Sequence, residues 1–373
     1  MALRRSPVLS THTVQRWDLD KTYLATDTES LRSLLRIPFE RAQDKKAIPG
    51  VAALVKELRR TAAERGGTTS VNFVTASPPQ IGRAIREKLS MDGIEVDEIR
   101  FKHQLHHLVR GRFDALREHV GFKLAELLQS ARSGRRDGVE LLFGDDWESD
   151  PLIYSLYADA VERRLPWSRL EGLLGKAGVQ GADYLQIIRD CVDREGPRRH
   201  ASAICILRAR RRADSEFEPF GPRMFWFDSY LECAFILHAL GHLDARGVVE
   251  VAEASDADPG AAADAFEAAV SRWPHLAREH LTVARRALVE SGRMLPVSPG
   301  AIWRRVLVRW RLARGRCPMP HDPSPPPLPD YDHLVQVWAH RARREREARE
   351  AREVREAKDA ARDVNDALGA AGE

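Results

Sequence analysis

The stretch Thr13-Val14-Gln15-Arg16-Trp17-Asp18-Leu19-Asp20-Lys21-Thr22 reads as a short buried strand, Thr13 to Leu19, that ends in acids. Alternation would turn Asp18 and Asp20 to one side as the chain bends into a loop. Taken alone, Asp-x-Asp-x-Thr describes an ordinary acidic turn just as well, because acids after a strand are common turn formers. The chain that follows repeats the strand-then-loop pattern. Pro49 opens a helical pattern with Val51, Leu54, Val55 and Leu58 on one face. Ser70 to Val74 is a second strand, running into Thr75-Ala76-Ser77-Pro78. Ile81 to Leu89 is helical, Val96 to Phe101 strand-like, and Phe122 to Leu128 helical again. Val139 to Phe143 is a buried strand entering Gly144-Asp145-Asp146; Ala182 to Arg194 is helical, and Ala203 to Leu207 is a fifth strand. Strands alternating with helices predict an α/β fold, a parallel sheet with helices on both faces.

After about Asp214 the pattern changes. Apolar residues recur at helical spacing through Phe225–Leu243, Ala261–Val270, Leu276–Leu288 and Ile302–Leu312, which predicts an all-α domain. Pro318 to Pro329 is a proline-dense, extended connector. After His340 the chain becomes an Arg/Glu/Ala helix whose charges pair at i,i+4 (Glu345 with Arg349, Arg349 with Glu353) and which lacks an apolar stripe. The expected organisation is an α/β domain over 1–213, a helical domain over 214–316, a linker over 317–330 and a charged C-terminal helix over 331–373. Such a helix is read as a solvated rod, with a protein partner as the alternative.

Acids nearly match bases along most of the chain, with 55 Asp and Glu against 59 Lys and Arg, so composition does not call for nucleic acid. The four cysteines, Cys191, Cys205, Cys233 and Cys317, form no close pair; a reducing cytosol is the simple reading. No apolar stretch of signal-peptide length follows Arg4 and Arg5, and the run Cys233 to Leu240 is too short to cross a bilayer.

Phosphoryl transfer through an enzyme-bound intermediate needs a carboxylate nucleophile, a second carboxyl for the leaving oxygen, a cation, and donors for the phosphate oxygens. Open parallel sheets present such groups at the carboxyl ends of their strands. Asp18 and Asp20 leave the first strand there. Thr75 ends the second, with a hydroxyl and nearby amides for a phosphate oxygen. Lys123 opens the helix before the fourth strand as a fixed positive charge. Asp145 and Asp150 follow the fourth strand in Gly144-Asp145-Asp146-Trp147-Glu148-Ser149-Asp150, where acids can ligate magnesium. Asp150-Pro151 also reads as a helix N-cap followed by proline, which is compatible with ligation.

This order of motifs resembles the haloacid dehalogenase superfamily: Asp-x-Asp-x-Thr, a Thr or Ser after strand two, a Lys, then Gly-Asp-x-x-x-x-Asp. More narrowly, Ile48-Pro49-Gly50-Val51, Phe73-Val74-Thr75-Ala76-Ser77-Pro78, Lys123-Leu124, Leu142-Phe143-Gly144-Asp145 and Asp150-Pro151-Leu152-Ile153-Tyr154 resemble the catalytic domain of the actin-patch phosphatidate phosphatase family. The resemblance covers roughly Val14 to Asp159. It implies a Rossmannoid sheet and a magnesium-dependent phosphomonoesterase in which Asp18 becomes an aspartyl-phosphate and Asp20 acts first as acid and then as base. By the same resemblance, magnesium is held by the Asp18 carboxylate, the Asp20 carbonyl and Asp145, with Asp150 as a further or water-mediated ligand, while Thr75 and Lys123 grip the phosphoryl group. Lys21 stands where that family usually has a third aspartate, and Asp146-Trp147 replaces Ser-Gly. These departures bear on substrate more than on chemistry.

Three further signals are set aside. His103, His106 and His107 lack an acidic or cysteine partner for a metal site. His238 and His242 read as core or helix-end histidines. Gly175 to Gly181 lacks the Lys-Ser/Thr of a nucleotide-phosphate loop. Trp303 and Trp310 lie on a basic helix whose favoured reading is core packing with an Arg fringe, and whose alternative is an interfacial membrane helix. The expected partner is a phosphorylated substrate: a phosphatidate-like lipid first, with a phosphoprotein or nucleic-acid end as alternatives. The expected location is cytoplasmic, with peripheral attachment at a membrane. A retained phosphatase domain serving only as an interaction platform is the competing reading, and intact Asp18, Asp20, Lys123 and Asp145 weigh against it.

Overall fold

The structure is a computed structural model that describes residues 12–25, 45–102, 115–133, 138–147, 149–179, 181–193, 199–274, 276, 278–295, 327–341, 343, 344 and 347. The six strands β1 (His12–Asp18), β2 (Thr68–Thr75), β3 (Glu98–Phe101), β4 (Val139–Asp145), β5 (His200–Leu207) and β6 (Met224–Phe227) form one sheet in the order β3-β2-β1-β4-β5-β6. Every pairing in it is parallel. The strand order reverses between β1 and β4, so the carboxyl ends of these two strands flank the crevice in which open α/β sheets bind their ligands.

The helices are α1 (Val51–Glu64), α2 (Gly82–Met91), α3 (Ala115–Ser133), α4 (Asp150–Val161), α5 (Trp167–Lys176), α6 (Ala182–Val192), α7 (Tyr230–Ala239), α8 (Ala245–Ala254), α9 (Pro259–Arg272) and α10 (Arg278–Glu290). Alternation along β1 sorts its neighbours. On one face Trp17 stacks on Phe143 with ring centroids 3.7 Å apart, and the Gln15 amide donates to Val55 O of α1 at 3.2 Å. On the other face Arg16 is almost fully buried and donates to Glu140 of β4 at 2.9 and 3.1 Å. Arg199 and Tyr157 join the same carboxylate at 2.7 and 2.5 Å. Burial alone would push Glu140 up, but Arg16, Arg199 and Tyr157 outweigh it and hold the carboxyl down at about 2. The Glu140 carboxylate is thus compensated by two guanidinium groups and a phenol hydroxyl, which makes its burial tolerable.

The all-α expectation for 214–316 is corrected at its start. Met224–Phe227 is not helical but forms β6, pairing with β5 from Ile204 to Leu207. Its four residues are all buried, so the run shows no alternation, and a short apolar stretch of that kind cannot be told from buried helix by periodicity. Ser229 then caps α7, its hydroxyl accepting the Glu232 N–H at 3.3 Å. The later helices also belong to the sheet's own core: Arg60 of α1 binds Asp244, the N-cap of α8, at 2.6 Å, and Val248, Val251, Phe235 and Trp17 share one buried cluster. A chain ending at Ala213 therefore exposes the β5 edge and the face of α1. Its expected behaviour on expression is aggregation, without the cooperative thermal unfolding of the full chain, as scored by size exclusion and circular dichroism.

The start of the C-terminal segment is also packed rather than solvated. Residues 331–341 are helical; Tyr331, Leu334, Val335 and Trp338 are buried. The Tyr331 hydroxyl lies 3.0 Å from Ser155 Oγ and also bonds Asp159 of α4. The three histidines at 103, 106 and 107, the Trp303–Trp310 helix, most of the proline-rich connector and the charge pairs beyond Glu345 lie outside the described residues. Among the described residues no helix is long and apolar enough to cross a membrane.

Candidate active site

Asp18 is the last residue of β1, and the chain turns immediately after it. Leu19 O accepts the N–H groups of both Tyr23 and Leu24, at 2.9 and 2.8 Å. Closing so tight a turn places Lys21 at φ +60°, a left-handed conformation that costs a side-chain-bearing residue about 1–2 kcal/mol. The turn brings Thr22 over β4, where its hydroxyl donates to Asp145 Oδ2 at 3.0 Å. From the other side the Tyr230 hydroxyl of α7 donates to the Thr22 carbonyl at 2.5 Å. The region expected to be a separate helical domain thus buttresses the loop after β1.

Lys123, from the middle of α3, reaches the same point from the opposite face. Its ammonium donates to Asp18 Oδ1 at 2.7 Å and to Asp150 Oδ1 at 2.5 Å, and its side chain is only 2% exposed. Burial would push Lys123 down, yet Asp150 and Asp18 outweigh it and raise it well above the ordinary lysine value, so the group stays charged. Asp150 is the first residue of α4, with Ser149 in the capping position and Pro151 next inside the helix. The sequence expectation of an Asp150 cap is off by one residue: its carboxylate points to Lys123 and lies 3.4 Å from the Asp145 N–H. Gly144 makes this approach feasible. A Cβ there would sit 2.7 Å from the Tyr154 ring and 2.8 Å from Asp150 Cβ, so any larger residue drives Asp150 out of place.

Asp18, Asp145 and Asp150 offer carboxylate oxygens that all lie within 4.8 Å of one another, and all three residues are buried. Asp18 and Asp150 share the Lys123 ammonium, with Asp145 beside them. Burial pushes the Asp18 carboxyl up to about 7, against the pull of Lys123, with Asp150 and Asp20 adding to the rise. Charge of this kind is relieved by a cation, and an all-oxygen donor set suits a hard divalent ion. The residues fit a metal. Asp20, whose backbone carbonyl is the expected metal ligand, has its carboxylate held by two hydroxyls: Thr75 Oγ1 and Ser77 Oγ donate to its Oδ2 at 3.1 and 2.9 Å. The Thr75 hydroxyl, expected to meet a phosphate oxygen, is thereby directed at Asp20, and it also accepts the Ser77 N–H at 3.0 Å.

Ser77, Thr22 and Tyr230 complete the site and were not assigned to it from sequence. Thr22 and Ser77 stand inside the two motifs, two residues beyond Asp20 and Thr75, and this spacing was the available signal; Tyr230 had none. A second group adjoins the site through Trp147. Lys21 Nζ lies 3.3 Å from the centre of the Trp147 ring, and the Arg210 guanidinium carbon 4.2 Å from it. The Trp147 N–H donates to Asp145 Oδ1 at 2.6 Å. Asp146 is buried and accepts the Arg210 and Arg212 N–H groups at 2.7 and 3.3 Å, fixing the loop after β5. Away from the site, His238 has a carbonyl 2.8 Å from each ring nitrogen, Leu243 O and His280 O, and His242 Nε2 lies 2.8 Å from Ser202 Oγ. Both are packing histidines.

Neither models of known protein families nor curated proteins give a match to this chain. What the site can do follows from its own geometry.

Proposed function

We propose that the chain is a divalent-metal-dependent phosphomonoesterase, with Asp18 as nucleophile and Asp20 as general acid and base. The observation that carries this reading is the buried convergence of Asp18, Lys123, Asp145 and Asp150 at the sheet's switch point. Asp20 stands beside it, held by two hydroxyls. Lys123 takes Asp18 Oδ1, which orients the other oxygen for attack on phosphorus. As the bond from Asp18 to phosphorus forms, the bond from phosphorus to the leaving oxygen breaks, and Asp20 delivers its proton to that oxygen. Water then attacks the acyl phosphate, Asp20 takes a proton from it, and cleavage of the Asp18–phosphorus linkage releases phosphate and restores the carboxylate. Asp18, Asp145 and Asp150 would hold the metal, which supplies charge neutralisation for the phosphoryl oxygens. Magnesium is the ion that the donor set and the sequence resemblance favour together.

The Thr75 and Ser77 hydroxyls orient Asp20 rather than hold phosphate in this reading. The sharp turn at Leu19 fixes the spacing between nucleophile and acid. Phosphatidate is the substrate to which the motif resemblance points. The test is release of inorganic phosphate from 4-nitrophenyl phosphate and from phosphatidate in liposomes, with magnesium and with chelator. Turnover that chelator abolishes is expected. Absence of metal-dependent release from both substrates overturns the reading.

A further inference from the structure

We propose that Arg212 and Trp338 are positioning residues for the candidate metal site: the helix over residues 331–341 sets Arg212, and Arg212 sets the Asp145 carboxylate through a single peptide plane. Resting on the divalent-metal reading above, this makes metal affinity a property of the C-terminal helix as well as of the three aspartates.

The peptide unit between Asp146 and Trp147 carries the link. Its N–H donates to Asp145 Oδ1 at 2.6 Å, and its carbonyl accepts the Arg212 Nε–H at 2.8 Å. A peptide unit is planar and resists twisting, so a guanidinium that fixes the carbonyl also fixes where the N–H points. The backbone N–H of Arg212 reaches the Asp146 carboxylate at 3.3 Å, so main chain and side chain of one arginine close on one residue. Thr22 holds the other oxygen of Asp145 at 3.0 Å. The carboxylate offered to the metal is therefore set by two donors, and Arg212 governs one of them. Outer partners of this kind orient a ligand and raise its affinity for the ion.

Arg212 is set in turn by the C-terminal helix. Its guanidinium carbon lies 5.2 Å from the centre of the Trp338 ring, and that of Arg341 lies 5.0 Å from it. Glu216 compensates both cations: it pairs with Arg341 and lies 3.7 Å from Arg212 Nη1. Trp338 is buried and meets the Phe220 ring edge-on, with centroids 6.1 Å apart. The Arg212 side chain is only 8% exposed, so it is held by packing against the indole as well as by the attraction of a cation to the ring. The other end of the helix is tied down independently. Tyr331 bonds Asp159 of α4, and Asp332 pairs with Arg169 and Lys176 of α5. These anchors hold Trp338 in place, and a contact more than 120 residues further along the chain reaches the loop that follows β4.

The experiment is a double-mutant cycle read by calorimetric titration of the full chain with magnesium, without substrate. Arg212→Met is expected to weaken magnesium binding by about tenfold or more, the scale for loss of an outer partner of a metal ligand. Trp338→Leu, which keeps apolar bulk but removes the ring face, is expected to weaken it by about threefold. Trp338→Phe should retain affinity near that of wild type. Because Trp338 acts through Arg212, the double variant Arg212→Met, Trp338→Leu should bind magnesium as Arg212→Met does alone. Leu334→Ala controls for packing: it empties a buried position of the same helix and should lower the melting temperature while leaving magnesium affinity unchanged. Affinity equal to wild type in Trp338→Leu overturns the proposal. So do losses that add in the double variant, or a loss in Leu334→Ala as large as that in Trp338→Leu. Wild type that binds no magnesium removes the metal reading itself and the proposal with it, whereas binding that is indifferent to Trp338 removes the proposal alone.

Discussion

Asp18→Asn is expected to abolish metal-dependent phosphate release, lowering kcat by about 10⁴-fold or more, the scale on which loss of a nucleophile acts, while leaving the fold intact. Asparagine has the shape of aspartate and keeps an oxygen for Lys123, now 2.7 Å from Asp18 Oδ1. It also removes one of three buried carboxylates, so the metal-free protein should melt no lower than wild type, and higher if repulsion in the cluster dominates. Loss of activity without loss of stability is the signature of a group used in chemistry rather than in packing. Because Asp18 also belongs to the metal cluster, the nucleophile role needs its own readout. In Asp20→Asn the residue that activates water is gone, yet 4-nitrophenolate departs without a proton, so phosphorylated enzyme should accumulate. Mass spectrometry of acid-quenched Asp20→Asn should find the phosphoryl group on Asp18. Phosphate release that survives Asp18→Asn, or quenched protein that carries no phosphoryl group, excludes a covalent route through this residue.

The first five strands were legible in the sequence because each is a β-rich run, three of them (β1, β2 and β4) leading into acids, glycine or Ser/Thr, and each recurs in the sheet to within a few residues. Asp18, Asp145 and Asp150 were legible for a related reason: they stand at or just beyond those strand ends, and a parallel sheet brings strand ends together whatever lies between. What was not legible depends on contacts distant in sequence. Met224–Phe227 is buried on every side, so nothing in its pattern separates strand from helix. The Arg16–Glu140 pair breaks the apolar reading of both strands and is intelligible only once Arg199 and Tyr157 are seen to complete it. The roles of Thr75 and Ser77 turn on which way a hydroxyl points, and one residue of displacement decides that. Tyr230 reaches Thr22 across 208 residues. Such closure makes the helical region after β6 part of the candidate site's support, and joins the fold's stability to the site's geometry in one unit.

That joining is sharpest at Lys123, and Lys123→Met is expected to be both inactive and strongly destabilised without metal. Methionine fills much of the volume of the lysine stem, so packing changes little. The lost ammonium is another matter. It donates to Asp18 and Asp150 at 2.7 and 2.5 Å from a site that is 2% exposed. Removing one partner of a buried ion pair costs about 3–5 kcal/mol, because the other charge is left without compensation; here two carboxylates are left, with Asp145 close by. For a chain of this size a loss of that order lowers the melting temperature by several degrees or more. Magnesium should restore a large part of it, since a ligand at 100 times its dissociation constant stabilises the folded state by about 2.7 kcal/mol, and a cluster deprived of the Lys123 ammonium has more repulsion for the ion to relieve. The magnesium-induced rise in melting temperature should accordingly be larger for Lys123→Met than for wild type, while phosphate release stays absent, because the metal neutralises the carboxylates without replacing the donor that orients Asp18. Equal magnesium shifts in the two proteins would mean that the ion binds somewhere other than among Asp18, Asp145 and Asp150.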